Sequence, residues 1–134
     1  MTKSEKLFQR WCKELDIYCH RFYDSKSMRG YAPQQPADFF VFHNQRLWFV
    51  EVKEFQSSNI SYENLRQIPR LVKALKYDIS SFFFMVTNKG VFIVKTELIL
   101  YYIRQNGDKK SIPLDYIEDV GLECKNKSDL MGYL

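Results

Sequence analysis

The sequence predicts an α/β domain of three layers, a central mixed β-sheet flanked by helices. Residues 36–53, PADFFVFHNQRLWFVEVK, read as two strands joined by a short polar turn. Both faces of that pair are apolar, with Phe40, Phe42, Leu47 and Phe49 on one and Phe39, Val41, Trp48, Val50 and Val52 on the other. A half-solvated sheet would alternate polar with apolar positions, so these strands are expected to be central and covered on both sides. Apolar residues at helical spacing over 2–15 and 62–77 supply the covering layers.

The bulk properties agree with one globular domain. The chain has 134 residues, 46% of them hydrophobic, enough to bury a core without staples. A formal net charge of +4 allows a polyanionic partner without requiring one. Cys12, Cys19 and Cys124 form an odd, widely spaced set with no CxxC pair, which argues against a zinc knuckle or disulfide framework and for a reducing compartment. The N-terminal stretch lacks an apolar signal region, and the runs FFFMV and LILYYI are too short to span a bilayer. A cytoplasmic protein with no membrane partner is the expectation.

In chain order, residues 2–15 form an opening helix, started by a capping box in Thr2-x-x-Glu5 and carrying Leu7, Phe8, Trp11, Cys12 and Leu15 on one face. Glu5 lies on that same stripe, either as a cap or as a ligand pointing at something. Residues 17–22 alternate as a strand, and 24–35 form a loop whose Lys26 and Arg29 make it positive. The hairpin follows, then a polar loop over 56–61. The second helix, 62–77, presents a basic stripe of Arg66, Arg70, Lys73 and Tyr77, which is either a solvated face or a set of phosphate contacts. Pro69 marks a kink or the true first turn of this helix. Residues 82–87 and 91–95 make a second hairpin around Gly90, Thr96 caps a short helix through Ile103, and a last helix runs from Pro113 to Gly121. The tail from Glu123 to Leu134 carries little that assigns it to an element.

The charges of the first hairpin stand out. If the turn closes symmetrically, residues whose numbers sum to 89 face each other, so Asp38 opposes Glu51 and Lys53 is their diagonal neighbour. Opposed side chains have Cβ atoms about 5 Å apart, where like charges destabilise unless a cation intervenes. Lys53 alone could be that cation, or a divalent metal with oxygen ligands backed by the ammonium. These three residues by themselves leave both alternatives open.

The order of helix, strand, hairpin with Asp38 and Glu51-Val52-Lys53, glutamine-bearing helix and second hairpin resembles the PD-(D/E)XK nuclease superfamily. Pro36-Ala37-Asp38 is followed by twelve residues and then Glu51-x-Lys53. The flanks are similar to Holliday junction resolvases of the Hjc and RecU types. SEKLFQRWCKEL looks like their first-helix glutamate segment, NLRQIPRLVKAL like the glutamine helix of RecU, and SFFFMVTNKGVFIVKTELILYY like its next hairpin and helix. RecU-type proteins carry a protruding segment between the first strand and the catalytic aspartate, where this chain has only residues 24–35.

The resemblance implies a restriction-endonuclease-like fold in a single nuclease domain, with a catalytic core over about 2–104 and a helical and loop extension over about 105–134. It implies phosphodiester hydrolysis with Mg²⁺, or Mn²⁺ in its place, held by Asp38, Glu51 and Glu5. Lys53 would orient water or stabilise charge, and Gln67 would position the scissile phosphate. Lys26, Arg29, Arg66, Arg70 and Lys73 would track the DNA backbone, and a homodimer would match the two-fold symmetry of a four-way junction. A repair or restriction-type nuclease of the same superfamily, or a nuclease-dead DNA-binding protein, are the alternatives.

Overall fold

The computed structural model describes residues 1–22 and 35–134, and Lys26 and Arg29 fall outside them. Its centre is a six-stranded mixed sheet in the order β1-β2-β3-β5-β6-β8. The strands are β1 (Tyr18–Arg21), β2 (Phe39–His43), β3 (Arg46–Phe55), β5 (Ser80–Thr87), β6 (Gly90–Lys95) and β8 (Leu122–Cys124). Only β3 and β5 run parallel, joined by a crossover that contains the short strand β4 (Asn59–Ser61), a 3₁₀ turn (Tyr62–Leu65) and helix α2 (Ile68–Leu75). Helix α1 (Lys3–Glu14) opens the chain; α3 (Thr96–Gln105), strand β7 (Ser111–Pro113), α4 (Leu114–Val120) and α5 (Lys127–Tyr133) complete it.

The sheet is covered on both sides at β5 and β6, which supply residues to two separate cores. The first hairpin, expected to be covered on both faces, is covered on one: Phe42 of the opposite face is 49% exposed and Phe40, Leu47 and Phe49 are half-buried, because β2 lies next to the β1 edge of the sheet. On one side Phe39, Val41, Trp48, Val50 and Val52 pack with Phe8 and Cys12 of α1 and Leu130 of α5. Phe8 is fully buried and meets the rings of Phe39 at 5.3 Å and Phe84 at 5.0 Å. On the other side Phe83, Met85, Phe92 and Val94 pack with Ile68 and Leu71 of α2, Ile99 of α3 and Ile117 of α4. This is the expected three-layer architecture.

Local chemistry explains the boundaries. Thr2 caps α1 by accepting the Glu5 N–H at 3.1 Å. The β2–β3 turn holds Asn44 and Gln45 at φ of 51° and 62°, the left-handed geometry of a two-residue hairpin loop, which Asn tolerates well. Pro69 does mark the first turn of the regular helix, which is why α2 begins at Ile68 and the preceding residues form a 3₁₀ turn instead. Gly90, at φ 135°, closes the second hairpin.

Three further features differ from the sequence expectation. Thr96 is the first residue of α3 but does not cap it; its hydroxyl is buried against Ser81 Oγ at 2.6 Å, a pairing across the sheet that outcompetes the local cap. The polar loop over 56–61 contains β4, which pairs with β7 through Ile60 and Ile112. The tail supplies β8, paired with β6, and α5, whose capping box joins Asn126 and Asp129. Among the described residues no helix is long and apolar enough to cross a membrane.

Candidate active site

The β2–β3 register places the charges. Phe39 pairs with Val50, Phe40 with Phe49, Val41 with Trp48 and His43 with Arg46, so every pair sums to 89. Asp38 and Glu51 stand one step beyond the last paired rung, where the ladder ends. Asp38 is fixed there from two sides: its carbonyl accepts the Phe22 N–H at 2.9 Å, and its Oδ2 accepts the Val52 N–H at 2.8 Å.

Glu51 is only 3% exposed although it carries a carboxyl group. Lys53 Nζ lies 3.5 Å from its Oε1, while its Oε2 is buried with no hydrogen-bond partner among the described residues. Burial first, and then the neighbouring Asp38 carboxylate, push the Glu51 pKa up to about 8, with the Lys53 ammonium pulling the other way. Burial likewise raises Asp38 above the usual carboxylate range, with Glu5 adding to it and the Val52 N–H opposing it. Two acids pressed together, one with an orphaned buried oxygen, are destabilised by each other and satisfied by a hard dication. The donor set therefore fits Mg²⁺, which takes one or two carboxylates and keeps waters in its other places.

Glu5 sits differently. α1 packs on the Val50–Val52 face of β3, opposite to the face of Glu51 and Lys53. From there Glu5 reaches around the open end of the hairpin, with Oε2 at 3.9 Å from Arg21 Nε and its charge felt by Asp38. Among the described residues no three Asp, Glu, His or Cys side chains gather closely enough to share one metal ion. Two carboxylates meet directly here, and Glu5 stands behind them.

Gln67 immediately precedes α2, which covers the Glu51 side of the sheet. Its Oε1 is a second buried oxygen without a partner among the described residues. Of the basic stripe, Arg66 and Lys73 are exposed, whereas Arg70 turns inward and donates through Nη1 to the Gln35 carbonyl at 2.7 Å. That bond ties α2 to the chain entering Asp38. Sequence reasoning passed over Ser4, which donates to Glu54 Oε2 at 2.7 Å and pins the start of α1 to the end of β3. Arg21, the partner of Glu5, was also passed over; its alternation on a short strand beside Asp38 was the available signal.

Comparison with known proteins bears on the fold. No protein-family model matches the chain, and no curated protein does. Among solved structures it is similar to Hjc of Archaeoglobus fulgidus, a Holliday junction resolvase from an archaeal hyperthermophile. The match has a TM-score of 0.63 and 14% identity, and covers 92% of this chain and 95% of that one. The chain has the fold of that resolvase over nearly its whole length.

Proposed function

We propose that this chain is a metal-dependent DNA endonuclease that resolves four-way junctions. The observation that carries the reading is the buried Glu51 beside the half-buried Asp38 where the β2–β3 ladder ends, with Lys53 at 3.5 Å and Glu51 Oε2 unpartnered among the described residues. The Hjc-like fold supports the same reading, since that neighbour is a Holliday junction resolvase.

Asp38 and Glu51 would hold Mg²⁺, or Mn²⁺ in its place, with Glu5 acting through water from behind. When bound, the ion supplies a lowered pKa for a water and neutralises charge on the phosphoryl oxygens. The protein does the rest by position. The Val52 N–H holds the Asp38 carboxylate still. Lys53 keeps its ammonium beside Glu51, where it can donate to the attacking water or to a phosphoryl oxygen as the bond from water to phosphorus forms and the leaving oxygen departs. Gln67 would hold the scissile phosphate through its amide N–H groups, or a ligand through the unpartnered Oε1. Arg66 and Lys73, with Lys26 and Arg29, track the DNA backbone and give affinity that falls with salt, while Arg70 holds α2 to the chain entering Asp38 through the Gln35 carbonyl. A homodimer presents two such sites to the two-fold symmetric junction.

The test is cleavage of a synthetic four-way junction in competition with linear duplex, with Mg²⁺ and with chelator. Metal-dependent cleavage that favours the junction is expected. Preference for duplex would assign a repair or restriction-type substrate, and no cleavage of either would leave a DNA-binding protein.

A further inference from the structure

The far end of the sheet holds a second concentration of unsatisfied donors. A cleft of about 570 Å³ opens beside the β2–β3 turn, lined by Arg46, Trp48, Lys95 and residues of α5 that include Asp129 and Tyr133. Trp48 is only 5% exposed, and its indole Nε1–H is buried with no partner among the described residues. The Tyr133 hydroxyl is buried and unpartnered in the same way, with its ring 5.4 Å from that of Trp48. Buried donors are almost always paired in native proteins, so two orphans lining one cleft point to a missing acceptor.

The charges around them suit an anion. The Arg46 guanidinium stands over the Trp48 ring at 5.3 Å, and Lys95 adds a second cation. Tyr133 keeps its proton, since burial first and the Glu97 charge next push its pKa up to about 12 against the pull of Arg46. Asp129 also lines the cleft, but its Oδ2 is engaged by the backbone N–H groups of Lys125 at 2.8 Å and Asn126 at 3.3 Å. Glu97 is exposed and lowers the positive potential without closing the cleft.

We propose that this cleft binds a phosphate group through Arg46, Lys95, Trp48 Nε1–H and the Tyr133 hydroxyl. Donors from β3, β6 and α5 converge from several directions, which matches the many oxygens of a tetrahedral phosphate better than the two of a planar carboxylate. The phosphate comes either from the DNA backbone or from a free phosphate-bearing small molecule. The site is separate from the carboxylate pair: Trp48 and Glu51 are three residues apart on β3, about 10 Å at the usual strand rise, and point to opposite faces. The proposal stands whether or not the chain is a nuclease.

The chain has two tryptophans, Trp11 and Trp48, so its indole N–H resonances are resolvable and Trp11→Phe assigns them. Inorganic phosphate titrated at constant ionic strength should move the Trp48 indole resonance saturably. Arg46→Gln and Lys95→Gln, both at exposed positions, should each weaken that response about tenfold, the loss of one charged contact. A short duplex in chelator separates the sources. A Trp48 response together with reduced DNA affinity of Arg46→Gln assigns the phosphate to the DNA backbone, and a response to inorganic phosphate alone assigns it to a small molecule. A resonance that follows ionic strength only, or that moves in both variants as it does in the wild type, overturns the site.

Discussion

Glu51→Gln keeps the shape of the side chain and removes its charge. Burial and Asp38 raise the Glu51 pKa from 4.5 to about 8. An acid whose pKa is higher folded than unfolded holds its proton more tightly in the native state. Its contribution is therefore whole below the unfolded value near pH 4.5 and is lost as pH rises to about 8. At about 1.4 kcal/mol per pH unit, a fully ionised Glu51 costs the metal-free fold about 5 kcal/mol. With the side chain 3% exposed, solvent screening removes little of that. Urea unfolding in chelator should show the wild type losing about 4 kcal/mol between pH 5 and pH 9 that Glu51→Gln does not lose. Added Mg²⁺ at pH 8 should restore stability to the wild type and leave the variant unchanged. Stability profiles that run parallel for the two proteins would refute the strained carboxylate pair.

Lys53→Ala should lower cleavage by about 10²–10³-fold, the scale of losing one transition-state donor, while DNA affinity measured in chelator stays within a few-fold. Lys73→Ala, at an exposed position of α2, should weaken DNA binding and make its log–log salt dependence shallower by about 0.9, and an unchanged slope would return α2 to a solvated face. Leu130→Ala, at a fully buried position of α5, should cost about 2–5 kcal/mol in urea unfolding. A loss well below that would mean α5 is dispensable to the core.

The first hairpin was legible because two short-range facts determine it. A four-residue polar turn leaves one symmetric register, and the apolar face of Phe39, Val41, Trp48, Val50 and Val52 is buried as its composition says, whereas the equally apolar face of Phe40 and Phe42 is not, since its cover depends on where β2 falls in the sheet. Asp38 and Glu51 then had to be neighbours. Pro69 and Gly90 were legible for the same reason, since each restricts its own backbone. What escaped was set by partners distant in sequence. Leu122–Cys124 and Asn59–Ser61 are three-residue strands with no measurable period, and they exist because β6 and β7 lie beside them. α5 is barely two turns long, although Asn126-x-x-Asp129 was a readable start signal. Thr96 looked like a cap because Ser81, fifteen residues upstream, gave no sign that it would take the hydroxyl. Which face α1 would cover, and hence that Glu5 stands behind the carboxylate pair rather than beside it, depends on the packing of Phe8 against Phe39 and Phe84.

The carboxylate pair itself is tested most directly by Asp38→Asn under single-turnover conditions with Mg²⁺ and a four-way junction. The variant keeps an oxygen able to accept the Val52 N–H, so the hairpin end stays in place. Cleavage should fall by at least about 100-fold, the scale set by losing a ligand-orienting group, while junction binding in chelator is retained. Cleavage by Asp38→Asn at the wild-type rate would contradict the proposed site.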